Sequence, residues 1–594
     1  MSVTSCVRLH GGVPTLFVDG APVEGLAYVT YLRERADYAA FAALGCRLFS
    51  VTTFFASRPV NATEKLAPFE KGVFEDPAAP DFSAVDEALA EVVAACPDAL
   101  IFPRVNTNPP LWWERQHPQE CNDAGLEGHP PHVCPASAEY RVQVCSWLRQ
   151  YLDHVETGPF ADHVIGYMVA GGQTEEWMAV DMNGNTGAAM RRSFAAAYPE
   201  GADEAARRRH ASDVTADAVC TFARCVKQAT GGKKVVGAFY GYTFETPWWQ
   251  AANSAVAPLL REPSVDFLSS PLSYHRMRAP GIDWACMSVQ DSIRLHGKLY
   301  FGEADIRTCQ SRPLNAARPG AAVDGWYGGG IWDGPADPWL CAQLLRAALA
   351  RALCRGTALW WFDMWGGWYD HPALRREMTP YFDLMRKSSA QPVRGATAQL
   401  AVFADERATA QMDGPGDPRM TVMSENLIPL GACGAPYDVY DVTDFDAVSA
   451  SGQYRAAVFL VPVMTAALAD AMAHWRQKGL PLLLADEAHP VRTAEEYAAL
   501  CGKAGIFRWL TPQDAASAGT PFGDVVYAGG GFAALHAASA GKKVLHLPAA
   551  CRVSAALAEA DTAAALPSLP TDTVTLRLRQ YETVLLRLDA AQDG

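Results

Sequence analysis

The 594-residue sequence lacks features that are typical of several protein classes. Its fifteen cysteines include no CxxC pair, which favours buried thiols over a disulfide framework and indicates a reducing compartment. Acidic residues (65) outnumber Lys and Arg (50), so the formal charge is −15 and nucleic acid is not expected as a partner. The first twenty residues show no basic segment followed by an apolar one, so no secretory signal is predicted.

Long apolar runs are absent as well. Residues 456–473 are the one stretch that could suggest a membrane span, but Pro462 and Asp470 interrupt it, and a buried strand running into a helix explains it better. We therefore expect a cytoplasmic protein without a membrane partner. The sequence is 49% hydrophobic and 19% charged, which suits a chain that buries a large core, and its length predicts two to four domains.

Residues 20–390 alternate short apolar runs with helical segments, a pattern typical of βα units around a parallel sheet. Amphipathic segments such as residues 82–95 and 338–353 predict the covering helices. The apolar runs lie at residues 25–32, 46–55, 99–106, 163–172, 234–243, 265–274, 298–308 and 357–365. Eight runs predict a (β/α)8 barrel with enlarged loops and with its chemistry at the carboxyl ends of the strands, and a doubly wound open sheet is the alternative.

The pattern of apolar runs changes after Pro392. Apolar runs at residues 399–405, 456–462 and 480–486, together with a helical stretch at residues 466–477, predict a smaller doubly wound α/β domain. Beyond about residue 524 the alternation has period two, as in residues 574–588, and residues 541–543 look like a turn, so an antiparallel β domain is predicted. The predicted domains are residues 1–392 (barrel), 393–522 (flavodoxin-like) and 523–594 (β domain).

Carboxylates follow two of the eight runs. Glu175 and Glu176 close the fourth run and Glu303 closes the seventh, and in a closed barrel these strand ends face each other across the mouth. A retaining glycosidase needs two carboxyl groups about 5–5.5 Å apart, one as nucleophile and one as acid/base. The alternative is that each Glu is an ordinary solvated loop residue.

Only one of two adjacent side chains on a strand extension can face the pocket. We favour Glu176 over Glu175 as the acid, because Trp177 beside it would form an apolar wall that raises a carboxyl pKa. Glu175 remains the second candidate.

Aromatic and polar side chains at the predicted strand ends suit the binding of sugar rings, whose C–H faces stack on flat aromatic surfaces. The candidate binding residues are Asn106, Asn108, Trp113, Tyr240, Tyr242, Tyr274, Asp305, Arg307 and Trp365. Arg307 could keep the nucleophile ionised by pairing with a carboxylate, or could only hold its loop. Trp360 and Phe362, inside the eighth run, are predicted to fill the core.

Other catalytic motifs are missing. No HExxH, P-loop or G-x-S-x-G sequence occurs, and Gly529–Gly531 is predicted to form a turn rather than a phosphate-binding loop. No metal site and no cofactor are predicted.

The motifs at residues 104–118, 166–177, 297–308 and 360–369 resemble those of clan A retaining glycoside hydrolases, especially family 42 β-galactosidases and family 164 β-mannosidases. The resemblance extends to the order of domains and covers nearly the whole chain. It implies Glu303 as nucleophile, a fourth-strand Glu as acid/base, and trimerisation through the flavodoxin-like domain. The sequence departs from the clan where Asn usually precedes the acid/base, since here Thr174 precedes Glu175 and Glu175 precedes Glu176. The four-cysteine zinc cluster of some family 42 members has no counterpart either.

We therefore predict a retaining, exo-acting β-glycosidase for a small neutral oligosaccharide or glycoside, with a β-galactoside as the first expectation and a β-mannoside as the second. One alternative is a catalytically inactive barrel that binds sugars or serves in assembly. Another is a lyase or isomerase that uses Glu303 as a base.

Overall fold

The computed structural model describes residues 3–60, 66–123, 132–391, 397–510 and 523–590, and these residues form four β-sheets. The first is a small antiparallel sheet of strands β1 (Ser5–His10), β2 (Val13–Val18) and β3 (Ala21–Pro22). Sequence analysis had missed it and assigned these residues to the barrel. Ser5 binds main-chain groups of Ile165 and Val235, just before or at the start of two barrel strands. The small sheet therefore covers the amino end of the barrel.

The second sheet is a closed parallel barrel. Its strands are β4 (Leu26–Thr30), β5 (Leu48–Phe54), β6 (Leu100–Ile101), β7 (Arg104–Asn106), β8 (Gly166–Ala170), β9 (Val235–Phe239), β10 (Phe267–Pro271), β11 (Leu299–Ala304) and β12 (Ala358–Phe362). β4 pairs with both β5 and β12, which closes the sheet and excludes the open alternative. All eight predicted strands are confirmed; the third is divided into β6 and β7 at Pro103, which has no N–H to donate.

Helices cover the barrel. Those in its part of the chain are α1 (Tyr38–Ala43), α2 (Ser83–Ala95), α3 (Leu111–Gln116), α4 (Ala138–Thr157), α5 (Ala188–Ala197), α6 (Glu204–Ala229), α7 (Val256–Arg261), α8 (Gln290–Leu295), α9 (Leu314–Ala317), α10 (Pro338–Arg355), α11 (Pro372–Met378) and α12 (Tyr381–Ser389). α10 shows why its boundaries lie where they do. The Asp337 carboxylate accepts from the N–H of Trp339, Pro338 occupies the first turn, and Gly356 ends the helix at φ +67°.

Aromatic rings fill the barrel interior beneath the mouth. The rings of Phe301 and Trp360 are stacked with centroids 5.6 Å apart, and Phe102 stacks on Phe301 at 5.7 Å. Phe239 lies 6.1 Å from Trp360. This layer gives the pocket above it a rigid apolar floor.

The third sheet is parallel and consists of β13 (Leu400–Ala404), β14 (Tyr437–Asp441), β15 (Ala456–Val461) and β16 (Leu482–Asp486). Its order β14-β13-β15-β16 is that of the first four strands of a flavodoxin-like sheet. The helices are α13 (Met420–Ser424), α14 (Leu427–Gly431), α15 (Phe445–Ala450), α16 (Ala466–Gln477) and α17 (Ala494–Lys503). Three strands and α16 are as predicted, whereas β14 escaped prediction because Asp residues interrupt its apolar pattern.

The fourth sheet is antiparallel, as predicted. It contains β17 (Val525–Gly529), β18 (Phe532–His536), β19 (Gly541–Leu557), β20 (Thr571–Leu578) and β21 (Thr583–Ala590), with α18 (Ala560–Ala564). Gly530 and Gly531 turn the chain between β17 and β18 with positive φ, which confirms the predicted turn. The predicted turn at residues 541–543 is wrong, because these residues begin β19 and Lys543 is buried against Asp524.

Most of the fifteen cysteines are buried, and all are free thiols. Within the ranges that the structure describes, the helices are too short or too polar to cross a bilayer.

Candidate active site

Glu303 lies near the carboxyl end of β11, with Pro271 of β10 and Trp360 of β12 as its neighbours in register. Its side chain is buried, and the Trp360 indole Nε1 donates a hydrogen bond to its Oε2 at 3.0 Å. Trp360 was predicted only to fill the core. Its ring does pack in the aromatic layer, but its N–H also orients Glu303.

Glu175 and Glu176 lie in a tight turn that follows β8. Thr174, Glu175 and Trp177 all have positive φ (54°, 66° and 57°), which is rare for residues other than glycine. The expectation of a strand extension with alternating side chains is therefore wrong. Three left-handed residues within four positions amount to local strain, and such strain is common at functional sites.

Asn108 holds this turn in place. Its Nδ2 donates to the carbonyl of Gly172 at 3.0 Å, and its Oδ1 accepts from the N–H of the same residue at 3.0 Å. Both ends of the amide are thus used within the protein. Asn108 supports the turn that carries the two Glu residues and is not free to bind a sugar.

The two adjacent carboxyl groups have different surroundings. Glu175 is completely buried; its Oε2 lies 2.9 Å from the Arg104 Nε, and its Oε1 accepts from Asn106 at 3.2 Å. Burial raises the pKa of Glu175, and the charge of Arg104 opposes this effect. Glu175 is therefore held in an ion pair.

Glu176 is only partly buried and accepts a hydrogen bond from the Thr174 hydroxyl. Burial raises the pKa of Glu176 to about 7, the charge of Asp305 contributes in the same direction, and the Tyr242 hydroxyl opposes the shift. The proposed reason for preferring Glu176 does not hold, since the Trp177 indole points to the β8 carbonyl of Val169. Exposure and freedom from an ion pair are what distinguish Glu176.

The negative charge of Glu176 acts on the pKa of Glu303. Burial raises the pKa of Glu303 to about 8, with further contributions from the charges of Asp305 and Glu176, while Arg104 opposes the shift. Two interacting carboxyls with neighbouring pKa values share one proton near neutral pH. An indole N–H can only donate, so Trp360 favours the ionised form of Glu303, whereas the Thr174 hydroxyl tolerates a protonated Glu176. These hydrogen bonds therefore favour the shared proton on Glu176, an effect that opposes the higher pKa of Glu303.

Arg104 of β7 is the functional residue that sequence analysis missed. Its charge acts on Glu175, Glu176 and Glu303 together, and its guanidinium carbon lies 4.9 Å from the centre of the Phe239 ring. A second nitrogen donates to the carbonyl of Thr174 at 3.2 Å. The signal was present, because a cation inside an apolar strand has to be paired.

Asp305 is shared by two arginines. Its carboxylate forms ion pairs with Arg278 and Arg307 and accepts from the Tyr274 hydroxyl. Of the two roles considered for Arg307, the structure therefore favours holding the loop, and Arg104 is the cation beside Glu303.

Not all of the candidate binding residues meet at the pocket. Tyr242 lies beside Glu176 and Glu303, as the shift of its own pKa shows. The Tyr240 hydroxyl instead accepts from the N–H of Ala255 outside the barrel, because Gly241 between the two tyrosines has φ +105° and breaks the alternation. Tyr240 is thus a structural residue.

Trp113 also lies in a packing position. Its ring stacks on His117 with centroids 4.3 Å apart and meets Tyr140 edge-on at 6.1 Å. Asn106 acts through Glu175, to which it donates.

Trp365 belongs to an aromatic wall. Its ring stacks on Tyr31 at 6.1 Å and lies 5.8 Å from Phe69 and 5.3 Å from Tyr327. Phe362 contacts the same Tyr31 ring edge-on at 5.1 Å. Tyr31 and Tyr327 were not predicted. Tyr31 does stand at the end of the first apolar run, whereas Tyr327 lies far from a strand end in the loop after β11.

In the described parts of the chain, no three or more His, Cys, Asp or Glu side chains lie together in an arrangement that could hold a metal ion.

Comparisons with known proteins bear on the fold. No protein-family model matches the sequence, and no curated protein matches it. Among solved structures, the chain is similar to a β-galactosidase from Rahnella sp. R3, with TM-score 0.59 and 12% identity over 95% of this chain and 98% of that one. It is likewise similar to a catalytic mutant of a family 42 β-galactosidase from G. stearothermophilus, with TM-score 0.59 and 9% identity over 98% and 99% of the two chains.

The chain has the fold of family 42 β-galactosidases. The predicted resemblance is thus confirmed at the level of architecture, over nearly the whole chain. The same architecture also occurs in α-L-fucosidase isoenzyme 2 from Paenibacillus thiaminolyticus, with TM-score 0.56 and 10% identity over 96% and 100% of the two chains. Proteins with the same fold can differ in function at such low sequence identities, so the function has to be inferred from the residues of the site.

Proposed function

We propose that the protein is a retaining, exo-acting β-glycosidase that hydrolyses small β-galactosides, with β-mannosides as the second substrate class. The observation that carries the proposal is the placement of Glu303 near the end of the seventh barrel strand and of Glu176 in the turn after the fourth, close enough for the charge of Glu176 to raise the pKa of Glu303. The β-galactosidases among the structural neighbours support the same class of substrate.

Glu303 is the proposed nucleophile. It attacks the anomeric carbon to form a glycosyl-enzyme intermediate while Glu176 protonates the leaving oxygen. Glu176 then takes a proton from the water that hydrolyses the intermediate. The Trp360 N–H and the charge of Arg104 stabilise Glu303 as a carboxylate before attack. The ion pair with Glu175 in turn fixes Arg104.

The aromatic wall supports action on a single terminal sugar. Tyr31, Phe69 and Trp365 stand together beside the pocket, and Tyr327 from the loop after β11 packs against Trp365. Such a wall offers a stacking surface to the C–H face of one pyranose.

We also propose that the flavodoxin-like part of the chain, around β13–β16, forms a homotrimer, as the resemblance to family 42 implies. Sedimentation equilibrium measures the mass directly. A mass near three times 64.1 kDa would support the trimer, and a monomer at all concentrations would refute it.

The activity is tested with a panel of 4-nitrophenyl glycosides and the wild type, Glu303→Ala, Glu176→Ala and Glu175→Ala. We expect wild-type turnover of the β-galactoside, and azide to restore activity with an inverted glycosyl azide from Glu303→Ala and a retained one from Glu176→Ala. A retained azide from Glu175→Ala instead would move the acid/base role to Glu175.

Three results would overturn the proposal. Normal activity of Glu303→Ala excludes it as nucleophile. Absence of turnover on every sugar favours an inactive sugar-binding barrel. Products that contain no oxygen from labelled water indicate a lyase or isomerase.

A further inference from the structure

Arg307 lies four residues after Glu303, and only one nitrogen of its guanidinium forms hydrogen bonds. Its Nη1 donates to the main-chain carbonyl of Asp305 at 2.7 Å and pairs with the carboxylate of the same residue. The Nε and Nη2 atoms have no hydrogen-bond partner, although the side chain is only 4% exposed. Leaving buried donors without a partner costs free energy and is uncommon, so we expect a ligand to accept hydrogen bonds from this edge of the guanidinium.

Aromatic rings from three separate segments fix the guanidinium. The carbon of the group lies 4.6 Å from the centre of the Trp332 ring, 5.2 Å from that of Trp368 and 5.6 Å from that of Tyr274. Trp332 comes from the loop after β11, and Trp368 from the loop after β12. Contacts on several sides leave the guanidinium few alternative orientations, so a ligand that binds its free edge meets a preorganised group.

Most of the buried side-chain groups without a hydrogen-bond partner near Arg307 and Glu303 are donors, besides the Tyr242 hydroxyl, which can donate or accept. The donors are Nε and Nη2 of Arg307, Nε1 of Trp368 and Nη1 of Arg104. The acceptor oxygens without a hydrogen bond, Oε2 of Glu175 and Oδ1 of Asp305, each face a guanidinium in an ion pair. A ligand that satisfies the region therefore has to bring acceptor oxygens.

Arg307 has no carboxylate partner of its own. Its carboxylate partner, Asp305, is shared with Arg278, so two guanidinium groups face one carboxylate. Arg278 uses its other nitrogens on the carbonyls of Leu272 and Ser273, and its charge also reaches Glu245, which lies against His275. The parallel Nε–H and Nη2–H groups of Arg307 have the spacing that binds a carboxylate or sulfate in a bidentate manner.

We propose that Arg307 binds an acidic group of the substrate, so that the preferred substrates are anionic β-glycosides carrying a uronate carboxylate or a sulfate ester. This inference rests on the proposed function and replaces the expectation of a neutral substrate.

The test compares kcat/KM for 4-nitrophenyl β-galactoside, β-galacturonide and 6-sulfo-β-galactoside. We expect the wild type to prefer one of the two acidic substrates by about 10- to 100-fold, as a charge-assisted pair of hydrogen bonds allows. Preference for the uronide or for the sulfated sugar identifies the source of the acidic group. The proposal is overturned when the neutral galactoside is hydrolysed at least as well as both acidic substrates.

Two variants of Arg307 test whether this residue causes the preference for acidic substrates. Arg307→Met removes charge and donors, and the ratio of acidic to neutral kcat/KM should fall to about one. Arg307→Lys keeps the charge but lacks the paired donors, so it should retain part of the preference for the acidic substrate. This variant provides the test if Arg307→Met folds poorly. Arg47→Met makes the same change in an exposed pair with Asp98 at the other end of the barrel, and should leave the ratio unchanged. An unchanged ratio in Arg307→Met would overturn the proposal.

A binding measurement separates this proposal from the proposed function. If no glycoside is hydrolysed, the function fails, and calorimetric titration with galacturonate, galactose 6-sulfate and galactose still decides the role of Arg307. Tighter binding of one acidic sugar to the wild type, lost in Arg307→Met, supports it. Equal binding of acidic and neutral sugars overturns it.

Discussion

Replacing Glu303 by Gln should stabilise the protein at alkaline pH. Burial raises the pKa of Glu303 from 4.5 to about 8 and that of Glu176 from 4.5 to about 7, so the folded carboxyl pair holds protons below these values that the unfolded chain releases. Stability from this group is complete below about pH 4.5 and is lost as the pH rises through about 8. At about 1.4 kcal/mol per pKa unit, the loss is on the order of 3–5 kcal/mol. Glu303→Gln has no proton to lose and keeps an acceptor for the Trp360 N–H.

The assay is the unfolding midpoint of wild type and Glu303→Gln, by heat and by urea, from pH 5 to pH 9. We expect the smallest difference at pH 5, an advantage for the variant that grows between pH 5 and about pH 8, and no further change above about pH 8. Glu495→Gln, on the exposed face of α17, controls for the loss of one negative charge. A difference between wild type and Glu303→Gln that does not change with pH would refute the raised pKa and the shared proton.

Three further predictions concern the same pocket. Trp360→Phe keeps the ring and removes the N–H that binds Glu303, so kcat should fall by about 10- to 100-fold, whereas Trp361→Phe, whose indole stacks on Tyr381 outside the barrel, should have little effect. Asn108→Ala breaks both hydrogen bonds to Gly172 and should lower the free energy of unfolding by about 1–3 kcal/mol in urea titrations; an unchanged midpoint would contradict its role in the turn. The pH profile of kcat/KM should be a bell with limbs near pH 7 and 8, since activity needs one proton on the carboxyl pair, and a flat profile between pH 5 and 9 would exclude this.

The barrel could be predicted because each of its strands is an apolar run between polar segments, and a strand buried on both faces leaves that pattern in any sequence. β14 could not, since its Asp438 is buried in an ion pair with Arg355, and a partner more than eighty residues away is invisible in a local pattern. The antiparallel pairing of β1–β3 was missed for a different reason: β2 is buried, but β1 is largely exposed and β3 has only two residues, both exposed.

The site was predicted in part. Glu303 and the adjacent Glu pair stand out because polar residues follow apolar runs at strand ends. The turn that separates Glu175 from Glu176 was not predictable, since it uses left-handed backbone at residues that rarely adopt it. The opposite orientations of Tyr240 and Tyr242 depend in the same way on the backbone of Gly241, whose added Cβ would clash with Ser288. Arg104 had a signal in the sequence, a cation inside an apolar strand, but its three carboxylate neighbours come from distant parts of the chain and are visible only in the structure.

The attack of Glu303 on the sugar is tested most directly by incubating the protein with a 2-deoxy-2-fluoro β-glycoside that carries a good leaving group, followed by peptide mass spectrometry. We expect one fluoroglycosyl adduct on the Glu303 side chain and none in Glu303→Gln. An adduct on Glu175, on Glu176 or on another residue, or turnover of the parent glycoside with inverted configuration, would contradict it.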